Sequence, residues 1–175
     1  MPILRSTRRI ARRELAATAQ RLLDASTLCA IATVGPGNRA HINTAYFAWT
    51  HDFRIVWLSE PHARHSRNLR TNRSVAVAVF DSGQSWAQPD RGIQLFGSAR
   101  EVGGRAARDA GAAYANRFTA YAETDLAAYR FYRFRPRRVK LFDEPALGTG
   151  IFVTARVDAD GQMTWERTEV YEASS

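Results

Sequence analysis

The order of apolar and polar positions predicts a helix followed by a run of short strands in the first third of the chain. Over residues 8–25, apolar side chains recur at helical spacing and arginines lie mostly on the other face. Two apolar, β-branched segments, 27–35 and 39–49, flank a turn rich in Gly and Pro, and 53–59 follows a second turn. Consecutive strands joined by tight turns indicate an antiparallel meander, unlike the β-α-β alternation of a parallel sheet.

The remaining two thirds continue this pattern with strands and two further helical segments. The predicted elements are a helix over 62–72, a strand over 74–81, a strand over 92–102, a helix over 103–128, a strand over 131–143 and a hairpin over 151–171. Asp160-Gly161 suits the tight turn of that hairpin. About seven or eight strands with two or three helices predict a mainly β protein, a small antiparallel β-barrel with helical insertions.

Composition agrees with a folded domain and excludes several other classes. The chain has 175 residues, 45% of them hydrophobic, which is too apolar for a disordered protein and suits one domain. No apolar run approaches the roughly 20 residues that span a bilayer, so we expect no membrane partner. A single cysteine, Cys29, excludes an internal disulfide framework and favours a cytoplasmic location.

Basic charge is concentrated at the N-terminus. The formal net charge is +8, and every basic residue except Lys140 is an arginine. The first 13 residues contain no acid and hold five arginines: Arg5, Arg8, Arg9, Arg12 and Arg13. We therefore predict a basic N-terminal arm with the start of the first helix over 1–20, and a single domain over 21–175. A basic protein attracts anions such as phosphates, nucleotides or nucleic acid.

Most familiar catalytic and metal motifs are missing from the sequence. It contains no G-x-G-x-x-G after a strand, no phosphate-binding G-x-x-x-x-G-K, no G-x-S-x-G and no H-E-x-x-H. His62 and His65 have the spacing of two metal ligands on a helix, but no third ligand lies nearby in sequence, so we predict no metal site. Cys29 lies in an apolar strand and is expected to be a buried thiol.

The most informative stretch runs from the end of the third strand into the second helix. Ser59 ends the strand, and Arg64, His65 and Arg67 follow at the start of the helix. A hydroxyl, helix N–H groups and adjacent guanidinium groups together suit a phosphate. A solvated basic helix face would show the same residues, so the residues alone leave both interpretations open.

Several segments in this region resemble, in order and spacing, the pyridoxamine-5′-phosphate-oxidase-like, FMN-binding split barrels. Members show a strand ending in an aromatic or aliphatic residue plus Thr or Ser, then a segment like S-R-K-x-R-N-L, then N-P-R and an apolar strand. This chain reads WLS over 57–59, ARHSRNL over 63–69, TNR over 71–73 and SVAVAVF over 74–80. The resemblance extends from about Leu22 to Val102 and loosely through PRRVKLFD.

This resemblance implies a homodimer that holds two FMN molecules at the subunit interface. Ser59, Arg64 and His65 would hold each FMN phosphate. One departure from the family pattern is that His65 stands where lysine is common, so we expect FMN affinity to fall as pH rises through the titration of this histidine.

The resemblance also assigns residues to the flavin ring. The backbone of the second strand would meet its polar edge, through Asn43, Thr44, Ala45 and Tyr46. Leu58 would contact the ring or the ribityl chain. Gln94, on a later strand, could reach the cofactor, although the family's glutamine aligns nearer Gly92, which is a second departure.

The leading functional hypothesis is therefore an FMN-binding flavoprotein, a flavin-dependent oxidoreductase of a small molecule. True pyridoxamine phosphate oxidases carry a C-terminal Arg-x-His element, whereas residues 164–175 read TWERTEVYEASS, so another substrate is expected. One alternative keeps the fold and binds a deazaflavin cofactor or a haem-related ligand. Another is nucleic-acid binding through the N-terminal arginines and the segment YRFYRFRPRR over 129–138, with its interleaved aromatics.

Overall fold

The computed structural model describes residues 3–121 and 126–171, and strands dominate this part of the chain. Its strands are β1 (Ile3–Ser6), β2 (Leu28–Gly35), β3 (Arg39–Tyr46), β4 (Ala48–Trp49), β5 (Ile55–Ser59), β6 (Ser74–Phe80), β7 (Arg91–Glu101), β8 (Arg130–Asp143), β9 (Ile151–Val157) and β10 (Met163–Tyr171). Its helices are α1 (Arg12–Asp24), α2 (Arg64–Thr71), α3 (Gly104–Arg117) and α4 (Glu144–Leu147). The pairings with a known register are antiparallel, which confirms the predicted fold class.

The chain divides into two compact units, and the first comprises Met1–Ser26, Ala78–Leu95 and Arg137–Ser175. Within it, β10 lies between β1 and β9, and β9 continues to β8. Helix α1 packs against β10 and buries one face that recurs at helical spacing. The buried face consists of Leu15, Thr18, Ala19, Leu22 and Leu23.

The second unit comprises Thr27–Val77 and Phe96–Pro136. Its β2–β3 hairpin turns through Pro36–Asn38, where Gly37 adopts a positive φ of 68° that glycine tolerates without strain. Strand β6 lies on the other side of β2. Strand β5 pairs with β4 and with the first half of β8, in a register that aligns Ser59 with Arg130.

Large aromatic side chains fill the interior of the second unit. Trp57, Phe47, Tyr132 and Phe134 are all fully buried, and the Trp57 and Tyr132 rings stack with their centroids 5.7 Å apart. Helix α3 packs on β4 and β5, and helix α2 packs on β2. Helix α2 is the next element along the chain after β5, where the sequence predicts a phosphate site.

The main differences from the predicted elements lie near the N-terminus and in the third helix. Residues 3–6, predicted as part of the basic N-terminal arm, form β1 and pair with β10, and the first helix begins at Arg12 rather than residue 8. The helix predicted over 103–128 ends at Arg117, and its residues 122–125 lie outside the described part. The assignment of 1–20 as an arm and 21–175 as one domain stays a prediction.

Among residues 3–121 and 126–171, no helix combines the length and the apolar character needed to cross a bilayer.

Candidate functional site

The end of β5 and the start of α2 bring Ser59 and His65 into direct contact. The Ser59 Oγ and His65 Nε2 atoms lie 2.6 Å apart, a hydrogen bond between groups six residues apart in sequence. Ser59 is buried at the end of a strand whose first three residues are fully buried, so its position is well defined. A turn closed by the Ala63 amide on the Glu60 carbonyl, 3.1 Å, returns the chain to the helix. The structure therefore brings these two predicted site residues together.

The first turn of α2 offers backbone N–H groups beside this pair. Its N-cap residue, Ala63, makes no side-chain capping hydrogen bond, because alanine has no polar side chain to reach the first amides. The initial N–H groups of a helix have no partner within the helix, and the helix dipole gives them partial positive charge. Arg64 and Arg67 are exposed on the same turn. The arrangement suits an anion.

The His65 imidazole is half-buried and stacks on a second imidazole. The His41 and His65 rings are nearly parallel, 7° apart in orientation, with centroids separated by 6.4 Å. Burial, and to a smaller extent the charge on His41, lower the pKa of His65 below its ordinary value of 6.5. His65 is therefore neutral at pH 7 in the free protein, so its contribution to an anion site at that pH is a hydrogen bond rather than a fixed charge.

Strand β3 carries four of the predicted cofactor residues and lies at the end of the strand order, beyond β2. Thr44 and Tyr46 are exposed, whereas Asn43 and Ala45 on the opposite face are half-buried. An edge strand presents backbone N–H and C=O groups that no neighbouring strand uses. The Asn43 Oδ1 atom is buried and has no hydrogen-bond partner among the described residues. The strand thus offers acceptors and donors to a ligand.

Two other predicted residues, Leu58 and Gln94, have surroundings of their own. Leu58 points to the opposite face of β5 from Ser59, as neighbouring residues of a strand do. There it packs against a buried cluster that includes Val56, Tyr114 and Phe131. Gln94 is an exposed residue of β7 that belongs to the first unit. The site assignments as a whole stay predictions.

Sequence reasoning missed two contacts that hold α2 in place. The Asn68 Nδ2 donates to Thr33 Oγ1 over 3.0 Å, and both side chains are buried. The Thr33 hydroxyl also lies 3.4 Å from the His41 carbonyl oxygen. These groups connect α2 to both strands of the hairpin. Asn68 belongs to the sequence motif ARHSRNL, but nothing in the sequence indicates that it contacts Thr33 or lies near His41.

Several candidate residues for other chemistry have ordinary structural roles. Cys29 is buried, and desolvation raises the pKa of its thiol to about 12, so it is a poor nucleophile, as predicted. Phe131, Tyr132 and Phe134 are buried in β8, so these three aromatics are not available to stack on nucleic-acid bases, whereas Tyr129 of the same segment is exposed. Within the part of the chain that the structure describes, no three His, Cys, Asp or Glu residues form a metal-binding group.

Comparisons with known proteins agree with this fold. No curated protein sequence matches the chain. A haem binding protein from Mycobacterium smegmatis has a similar structure, with a TM-score of 0.65 and 18% identity over 89% of this chain and 62% of that one. A Clostridium acetobutylicum protein related to general stress protein 26, of the pyridoxinephosphate oxidase family, has a TM-score of 0.61 and 12% identity over 86% and 99%. An F420 reductase has a TM-score of 0.54 and 20% identity over 69% and 94%.

At such identities these structures show the fold alone, whereas the sequence match is more specific. The family model for pyridoxamine 5′-phosphate oxidase matches residues 15–143, which is well over half of the chain and includes β3, β5 and α2. The family resemblance noted from the motifs is thereby confirmed, and the chain belongs to the pyridoxamine 5′-phosphate oxidase family.

Proposed function

We propose that this protein binds FMN and acts as a flavin-dependent oxidoreductase on a small molecule. The observation that carries the proposal is the contact between Ser59 and His65, 2.6 Å, at the uncapped start of α2. In this proposal the FMN phosphate binds there. Ser59 and His65 supply hydrogen bonds, the first amides of α2 supply more, and the exposed Arg64 supplies the permanent positive charge.

The neutral state of His65 makes Arg64 the more important of the two basic groups. A phosphate dianion beside His65 would favour its protonated form, so binding at mildly acidic pH would be accompanied by proton uptake. This supports the earlier expectation that affinity falls as pH rises. Because the pKa of His65 is lowered in the free protein, the fall begins below the ordinary value of 6.5.

The flavin ring is proposed to lie along the edge strand β3. Strand β3 presents the backbone of residues 43–46 on the unpaired edge, and the buried Asn43 Oδ1 lacks a partner among the described residues. A buried acceptor without a hydrogen bond costs about 1–3 kcal/mol, and a flavin ring carries an N–H group that such an acceptor can bind. Leu58 and Gln94 remain proposed contacts of the ring or ribityl chain.

Bound FMN supplies the hydride-transfer chemistry, while the protein supplies binding, orientation and electrostatics. No nucleophilic side chain is required, in agreement with the lack of a catalytic motif in the sequence. We place the substrate outside the vitamin B6 phosphates because residues 164–171 of β10 contain no Arg-x-His element. The remaining residues of the predicted C-terminal segment, 172–175, lie outside the described part. We place the protein in the cytoplasm because its single cysteine is a buried free thiol.

A homodimer is part of the proposal, and the hairpin β2–β3 supports it. Leu28, Ile42 and Tyr46 are 45%, 67% and 59% exposed, unusual for side chains of this size. The register pairs Leu28 with Tyr46 and Ala32 with Ile42, so these side chains share one face. Burying this face against a second copy would cover both the apolar residues and the exposed edge, and two-fold symmetry is the commonest closure.

A related ligand is the second candidate. A deazaflavin cofactor has a phosphate that the same residues could hold, and the similar fold of an F420 reductase favours it. A haem-related ligand is favoured by the paired imidazoles of His41 and His65, and by the similar fold of a haem binding protein. Both keep the fold and change only the occupant of the site.

The absorption spectrum of the purified protein, followed by titration with FMN, distinguishes these ligands. We expect flavin bands, and we expect Arg64→Ala to weaken FMN binding by about 1.5–3 kcal/mol, the range for a charged hydrogen bond. Arg105→Ala is the matched control, because Arg105 is exposed on α3 and its substitution also removes one positive charge. Equal FMN affinity of the Arg64→Ala variant and the wild type would refute the phosphate assignment. A haem Soret band or a deazaflavin spectrum would replace FMN with the second candidate.

A further inference from the structure

Five arginines line one cavity in the second unit, and none of them belongs to the proposed FMN site. Arg54, Arg73, Arg100, Arg133 and Arg135 surround a cavity of about 320 Å³, together with Ser98 and Ala99. A water molecule occupies roughly 30 Å³ in the liquid, so the cavity has room for a ligand of many atoms. Side chains this strongly charged normally spread apart over a surface, so their convergence on one cavity requires an explanation.

Hydrogen bonds between backbone groups bring β7, β8 and the start of β6 together at this cavity. The Val102 amide donates to the Phe131 carbonyl over 2.9 Å, which makes β7 and β8 antiparallel neighbours. Continuing that register brings Arg100 across from Arg133. The Ala99 amide donates to the Arg73 carbonyl over 2.9 Å, which places the residue before β6 beside β7. Arg100, Arg133 and Arg135 thus lie on strands, and Arg54 and Arg73 directly precede β5 and β6.

Gly97 makes the approach of β7 and β8 unusually close. A Cβ atom at this position would lie 2.0 Å from the Arg135 carbonyl oxygen, so only glycine fits. Arg133 and Arg135 are two residues apart on β8, and Ser98 and Arg100 are two residues apart on β7. Residues with this spacing project from the same face of a strand. Arg133 and Arg135 therefore project from one face of β8, and Ser98 and Arg100 project from one face of β7.

Placing these cations together costs stability in the absence of a ligand. Like charges opposite each other on neighbouring strands are destabilising. Burial and the charges of Arg54 and Arg100 lower the pKa of Arg133, while Asp52 and Asp109 act against this. Asp52 forms an ion pair with Arg54 at 2.5 Å, so the acids nearby offset only part of the positive charge. The remaining positive charge is available to an anion.

We propose that this cavity is a second anion site, which binds the diphosphate group of a small molecule. Guanidinium groups donate two parallel hydrogen bonds to phosphate oxygens, and several converging on one cavity match a group with several charged oxygens better than a single phosphate. Ser98 adds a hydroxyl at the same place. The ligand is either free inorganic pyrophosphate or a diphosphate ester such as a nucleotide.

Calorimetric titration of the full-length protein with inorganic pyrophosphate, orthophosphate and ADP tests the site. We expect pyrophosphate to bind at least ten times more tightly than orthophosphate. We expect the double variant Arg100→Gln, Arg133→Gln to lose at least a factor of ten in pyrophosphate affinity. The matched control is Arg5→Gln, Arg13→Gln, which removes the same charge from exposed positions at the N-terminus. Arg135→Gln, an exposed side chain, is a milder second variant in case the double variant is unstable.

Arg64→Ala reports on the proposed FMN phosphate site, and we expect it to lower pyrophosphate affinity by a smaller factor than Arg100→Gln, Arg133→Gln does. ADP affinity equal to or above that of pyrophosphate assigns the ligand to diphosphate esters, and binding of pyrophosphate alone assigns it to the free ion. The proposal is overturned if neither pyrophosphate nor ADP binds, or if the control variant loses as much pyrophosphate affinity as Arg100→Gln, Arg133→Gln.

Discussion

The hydrogen bond between Asn68 and Thr33 gives a sharp test of how α2 is held against the hairpin. The Asn68 Nδ2 lies 3.0 Å from Thr33 Oγ1, and the two residues are 4% and 1% exposed. Replacing Asn68 with alanine removes the donor and leaves the buried Thr33 oxygen without it. A buried polar group that loses its partner costs about 1–3 kcal/mol, so we expect the free energy of unfolding to fall by that amount.

Urea unfolding of Asn68→Ala, Thr33→Val and the double variant measures this energy as a double-mutant cycle. Because Thr33→Val also removes the acceptor, the double variant should lose less than the sum of the two single variants. We expect a coupling energy of at least about 0.5 kcal/mol. Asn116→Ala, at an exposed position of α3, is the control and should change stability by no more than about 0.5 kcal/mol. Strict additivity of the two single variants would refute the proposed bond.

Three further predictions concern other parts of the molecule. Because the folded protein lowers the pKa of His65 below 6.5, the unfolded chain binds a proton at higher pH than the folded protein does, so the contribution of neutral His65 to the free energy of unfolding is fully present above pH 6.5 and declines as pH falls below it. His65→Gln should flatten this decline when the free energy of unfolding is measured from pH 7.5 to 5, and an equal decline in the wild type and the variant would contradict the reasoning. Gly97→Ala should destabilise the protein by about 1–3 kcal/mol or more, because the alanine Cβ would clash with the Arg135 carbonyl oxygen. Gly111→Ala, in α3, would make only ordinary contacts and should stabilise the protein by about 0.5–1 kcal/mol, so thermal unfolding should show changes of opposite sign for the two variants. Ile42→Lys, on the exposed face of the hairpin, should convert a dimer to a monomer in sedimentation at micromolar concentration, and a wild-type monomer would remove the proposed interface.

Local sequence patterns were sufficient for most of the fold. Alternation and turn residues predicted the β2–β3 hairpin and the final hairpin, because each depends on neighbouring residues. Strand β1 could not be predicted in this way, since its four residues are largely exposed and its hydrogen bonds come from β10 at the far end of the chain. The prediction that the third helix continues beyond Arg117 was wrong, because the backbone of Phe118 is extended rather than helical.

The candidate site was predictable only where its residues are close in sequence. Ser59 and His65 lie six residues apart, and the strand-to-helix motif was enough to place them together. His41 and Thr33 belong to the hairpin, so their contacts with α2 depend on packing between distant segments. The sequence also suggested a charged His65 at the phosphate, whereas burial and the neighbouring histidine favour its neutral form. Protonation states depend on surroundings that a linear motif does not specify.

The buried thiol of Cys29 has a practical consequence for spectroscopy. With a single cysteine that is 2% exposed and has a pKa of about 12, the native protein is nearly inert to maleimide reagents, which react with the thiolate. A cysteine introduced at exposed Thr44 would therefore be the single reactive position, without prior removal of the native one. Spin labels attached there would report the distance between the edge strands of two associated copies.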